Sequence, residues 1–62
     1  RYGPDENTNK IRSWLKEDKD NRGKLREFLK SIDYGNVLIA NILNGIEYKE
    51  LRSKIVEHFK IQ

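Results

Sequence analysis

Apolar residues recur one helical turn apart along most of this chain, each set backed by a run of charge. Ile11, Trp14 and Leu15 fall at i, i+3 and i+4, while Lys10, Arg12, Lys16 and Glu17 take the opposite face. That period predicts an amphipathic helix from about Thr8 to Glu17, with Asn7 or Thr8 as its N-cap. Asp18-Lys19-Asp20-Asn21 is wholly polar and reads as a turn, with Asp20 or Asp18 capping the next helix. Leu25, Phe28, Leu29 and Ile32, at i, i+3, i+4 and i+7, make the clearest stripe and predict a second helix from about Asn21 to Ser31. Asp33-Tyr34-Gly35-Asn36 breaks the pattern; Gly35 suits a left-handed C′ position and Asn36 the next N-cap. Tyr48, Leu51, Ile55 and Phe59, widened by Val56, predict a last helix from about Glu47 to Lys60. Its acids sit in the first turn and His58 and Lys60 in the last, complementing the helix dipole.

Between these lies a stretch of another kind. Val37-Leu38-Ile39-Ala40-Asn41-Ile42-Leu43 is apolar almost all round. A short buried strand would have similar β-branched content, but no other segment could pair with it, so the stretch predicts a third helix over 37–44, ended by Asn44-Gly45. A helix without a polar face must be buried on most sides. The expected architecture is therefore an all-α four-helix bundle with short loops and helix three at its centre. Residues 1–7, with the only proline, read as a flexible tail, and 8–62 as one helical domain. The expected core is Ile11, Trp14, Leu15, Leu25, Phe28, Leu29, Ile32, Leu38, Ile42, Leu43, Leu51, Ile55 and Phe59.

Composition narrows the function classes. A chain of 62 residues buries only about 60% of its unfolded surface, so its core is marginal. Without cysteine it has neither disulfide staple nor zinc cluster; this and the lack of a signal-peptide pattern point to an intracellular setting, cytoplasm or nucleus. The start at Arg1 reads as that of a fragment or processed piece. No run approaches the roughly 18 apolar residues of a membrane span. Charged residues are 37%, with formal net charge +3, and both signs are interspersed along the chain.

Catalytic chemistry has little to stand on. The single histidine, His58, reads as a helix-end surface residue beside Glu57, and no Ser, Cys or Lys is paired with a base. The polar loop holding Asp18 and Asp20 lacks the glycine and terminal glutamate of a calcium loop. No glycine-rich phosphate loop is present. Neither a catalytic residue, a metal site nor a cofactor is expected.

Two binding readings remain. In the first, helices one, two and four cover only about two-thirds of helix three, and the strip left open receives a peptide, a helix or a second copy of the chain. Leu38, Ile39, Ile42 and Leu43 would form that surface, rimmed by Tyr34 and Tyr48. In the second, Val37 to Phe59 is a DNA-binding helix-turn-helix with helix four reading the major groove through Lys49, Arg52, Ser53 and Lys54. Glu47 and Glu50 oppose the second reading, since they stand where phosphates would approach, and Ile46 to Gln62 nets only +1 (four Lys/Arg, three Glu). A basic face could also come from helices one and two.

Gly23 to Asp33 and Leu51-Arg52-Ser53-Lys54-Ile55 resemble stretches of the peptide-binding MLLE domain of poly(A)-binding proteins. Glu27 stands where that family has a glycine admitting a ligand aromatic, and the spacing between the two stretches differs, so no ligand residue is carried over. Ile11-Arg12-Ser13 and the second helix are similar to the helical X domain of paramyxovirus phosphoproteins. Both resemblances imply a small, non-catalytic binding bundle.

Overall fold

The carboxylate of Asp5 starts the fold. Its Oδ1 accepts the Thr8 backbone N–H at 2.7 Å and the Thr8 hydroxyl at 2.8 Å, satisfying a donor that the first helical turn leaves without a partner. Helix α1 accordingly spans Glu6–Glu17, two residues earlier than the periodicity predicts. The computed structural model describes residues 5–62. Of the expected tail, 1–4 lie outside the described residues, whereas Asp5–Asn7 belong to the folded domain. Thr8 caps nothing; it is buried three residues before Ile11 on the core face.

The corner after α1 is held by side chains that copy backbone bonds. Asp18 accepts the Asp20 amide at 2.9 Å, and helix α2 spans Asp20–Ser31 with Lys19 at its N-cap. Asn21 is buried in the first turn, and its Nδ2 donates to the Trp14 carbonyl at 2.7 Å. That carbonyl is among the four that α1 leaves unpaired at its C-terminus. A Schellman pair ends α2: Tyr34 N–H to Leu29 O at 2.7 Å and Asp33 N–H to Lys30 O at 3.3 Å. The left-handed residue is Asp33 (φ 66°), not Gly35. Aspartate tolerates that region better than most side chains, and it stands one position past the C-cap, where the motif requires it.

The chain spends Ile32 to Leu38 on this reversal. Leu38 is extended (ψ 143°), so α3 covers only Ile39–Asn44, starts two residues later than expected, and has no side-chain cap from Asn36. A 3-10 turn, Ile46–Tyr48, leads into α4, Lys49–Phe59. Lys60 is left-handed (φ 52°) and Ile61 donates back to the Val56 carbonyl at 3.0 Å. That bond turns Ile61 into the core.

Helices α1 and α4 form the main seam; α2 lies against α1, α3 against both α1 and α4, and the 3-10 turn against α3 and α4. Ile11, Leu25, Leu29, Ile39, Ile42, Leu51, Ile55 and Ile61 are buried. Trp14, Leu15, Phe28, Ile32, Val37, Leu43, Tyr48, Val56 and Phe59 pack around them half-buried. Trp14 and Phe59 meet at 4.6 Å between centroids, Phe59 meets Phe28 edge-on at 5.6 Å, and Phe28 stacks on His58 at 4.2 Å. This aromatic seam joins α1, α4 and α2. Leu38, expected in the core, is 66% exposed, because the extended backbone at that residue places it before the helical face that α1 and α4 cover.

Candidate functional site

Two features stand out around α3: a buried cation beneath it and apolar side chains uncovered at its ends. The cation is Arg52, only 6% exposed. Its Nη1 donates to the carbonyls of Ile42 and Gly45, the latter at 2.7 Å, and Nε and Nη2 reach Asp5 Oδ2 at 3.3 and 3.1 Å. One guanidinium thus ties the C-terminal end of α3, the cap of α1 and the body of α4. Arginine suits this because its donors form a rigid fork and stay charged. Burial works to raise the Asp5 pKa, but the Thr8 amide and hydroxyl and the Arg52 guanidinium outweigh it, so the carboxyl titrates below its ordinary value. Gly45 belongs to the same joint. A Cβ there would lie 2.7 Å from the Asn41 carbonyl and 2.8 Å from the Tyr48 ring.

Arg52 is therefore unavailable to nucleic acid, which corrects its place among the base- or phosphate-contacting residues. Lys49, Ser53 and Lys54 are exposed, with Glu50 beside them. The signal for Arg52 was present in the periodicity. It follows Tyr48 by four residues and precedes Ile55 by three and Val56 by four, so the helix turns it into the apolar arc. Asn21, four before Leu25, and Thr8, three before Ile11, carry the same signal.

The expected partner surface divides. Ile39 and Ile42 lie in the core, on the face that α1 and α4 cover, and present no surface. Tyr34 and Leu38 are exposed at the N-terminal end of α3, and Leu43 and Tyr48 are half-buried towards its C-terminal end. Ile46, in the 3-10 turn, completes the set; at 77% it is the most exposed large apolar side chain among the described residues. No periodicity flags a residue in a 3-10 turn between two helices. Arg12 Nη2 donates to Asn44 Oδ1 at 2.9 Å, fixing the outer side of α3 to α1.

Other chemistry is sparse. The His58 ring lies flat on Phe28, and no carboxylate bonds to it among the described residues. An open cleft of about 340 Å³ runs beside Trp14, Phe59 and Gln62; its serine, Ser13, has no base as hydrogen-bond partner there. Among the described residues no group of three His, Asp or Glu side chains could hold a metal ion, and no helix is long and apolar enough to cross a membrane.

No family model, curated protein or solved structure matches the chain. The likenesses to the MLLE and X domains therefore stay confined to the stretches that carry them, and the function rests on the surface alone.

Proposed function

We propose that this domain is a non-catalytic helical protein-interaction module that docks a peptide, a helix or its own copy on the apolar residues around the two ends of α3. The observation that supports it is the pair Leu38 and Ile46, 66% and 77% exposed, which no packing demand of the fold places in water. Fully burying one such side chain contributes about 1.5–3 kcal/mol. Tyr34, Leu43 and Tyr48 add amphipathic or half-buried area to the same ends of α3. A chain of this size keeps few large apolar groups, and leaving two outside its own core is understandable if a partner covers them.

The test is a titration of ¹⁵N-labelled domain with candidate partner segments, and separately a dilution series. Shifts centred on residues 34–48 are expected in one or both. The double variant Leu38→Ser, Ile46→Ser should fold with stability within about 0.5 kcal/mol of the parent, because both side chains are exposed, and should lose those shifts. Retained binding by the double variant would refute the assignment, and salt-sensitive duplex binding centred on Lys49 and Lys54 would replace it with the nucleic-acid reading.

A further inference from the structure

Helix α2 sorts its charges. Lys19, Arg22, Arg26 and Lys30 follow one another in steps of three, four and four residues. At about 100° and 1.5 Å per residue, they share roughly 80° of arc and about 16 Å of axis. All four are exposed. On the other flank Asp20, Lys24 and Glu27 alternate in sign at i,i+4 and i,i+3, the arrangement that supports a helix. The basic flank does the reverse. Arg22 with Arg26, and Arg26 with Lys30, are like-charge i,i+4 pairs that weaken an isolated helix. Lys19 stands at the N-cap, where a cation opposes the dipole.

The fold gives little back for this: only Lys30, in the last turn of α2, complements the helix dipole. None of the four forms an ion pair among the described residues, and residues 1–4 contain no acidic side chain. Gly23 sits at the edge of this row, four residues after Lys19 and three before Arg26, with Asp20 and Glu27 on its other side. A Cβ at Gly23 would meet nothing within 4 Å, so packing does not require glycine there, and glycine is a poor helix former. The helix thus carries a row of unpaired cations beside a bare patch of backbone.

We propose that this flank of α2 receives an acidic α-helix of a partner protein, lying along the cation row beside Gly23 with Asp or Glu side chains at i,i+4 spacing against Arg22, Arg26 and Lys30. The spacing is the argument. Cations about 6 Å apart along one helix match carboxylates about 6 Å apart along another, and a missing side chain lets the two backbones approach. A nucleic-acid duplex fits less well, because its phosphates spread over a wider surface and would meet the exposed Glu17 and Asp18 before the start of α2 in addition to Asp20 and Glu27. The surface is distinct from the ends of α3 and does not depend on their role.

The test uses the 62-residue chain, ¹⁵N-labelled, at about 20 mM salt, where surface charge is weakly screened. The probes are an Ala-rich helical peptide with Glu at i, i+4 and i+8, an isomer of the same composition with those Glu residues dispersed around the helix, and a duplex DNA. Shifts confined to residues 19–30, with the spaced peptide at least about tenfold tighter than its isomer, are the expected result. Arg22→Glu with Arg26→Glu should weaken binding by about tenfold or more, and matching Lys residues in the peptide should restore it. Gly23→Leu should weaken binding with every charge in place; circular dichroism checks that both variants fold. Equal affinity for the two peptides, tighter binding of the duplex, shifts elsewhere, or no shift at millimolar peptide would each overturn the proposal.

Discussion

Replacing Arg52 by alanine should remove a large share of this domain's stability, although the side chain belongs to no hydrophobic cluster. The variant removes one guanidinium and with it four hydrogen bonds: two to the Ile42 and Gly45 carbonyls and two to the Asp5 carboxylate. A buried acceptor left without its donor costs about 1–3 kcal/mol. The Ile42 carbonyl is inside, and the Gly45 carbonyl and Asp5 are partly so, so these groups can recover some bonding from water. Breaking one side of a buried ion pair typically costs about 3–5 kcal/mol, and the lower half of that range applies because Asp5 is partly solvated and keeps Thr8. At about 0.05–0.15 kcal/mol per residue the whole domain is worth roughly 3–9 kcal/mol. Arg52→Ala therefore removes a third or more of the total. Arg52→Lys keeps the charge but cannot reach both carbonyls and the carboxylate at once, and should fall between. Urea denaturation followed by Trp14, the single tryptophan, packed on Phe59, reads α1 against α4, and circular dichroism reads the whole. If Arg52→Ala lies within about 0.5 kcal/mol of the parent, the clamp holds nothing and the placement of α3 needs another cause.

The remaining expectations are smaller. Because Asp5 titrates below its ordinary value of 3.8, its contribution is complete above that pH and is lost as pH falls through the lower folded value; urea midpoints between neutral pH and pH 3 should drop in the parent, and Asp5→Asn should lack this part of the drop. The two glycines should respond oppositely to alanine. Gly45→Ala forces a methyl against the Asn41 carbonyl and the Tyr48 ring and should cost about 1–3 kcal/mol, whereas Gly23→Ala meets nothing and should stabilise by about 0.5–1 kcal/mol; thermal melts of the pair decide both. Ile61→Ala should cost about 2 kcal/mol, the low end for a buried isoleucine, since the chain end can relax into the space, and an unchanged midpoint would mean that Ile61 is not seated in the core.

Helices were legible because the periodicity of Ile11, Leu25, Leu29, Leu51 and Ile55 names both an element and its inward side. Ends were less legible. Asp5, Asp33 and Leu38 set three of them, and each acts through a hydrogen bond or a backbone angle that several nearby residues could equally have supplied. The proposed docking surface was legible only in outline. An all-apolar run shows that something needs covering, but Ile39 and Ile42 went inside while Leu38 and Ile46 stayed out, and that division follows from where the reversal after α2 lets α3 begin.

By itself, the order of residues determined the helices, the faces that α1, α2 and α4 bury, and the row of cations along α2, because these follow from a fixed turn of about 100° per residue. Only the tertiary structure decided that Arg52 faces Asp5 and the end of α3, that Ile61 folds back into the core, and that the ends of α3 remain in water. Those outcomes depend on distances between segments far apart in the chain, Asp5 and Arg52 being 47 residues apart, and no local period encodes such a distance.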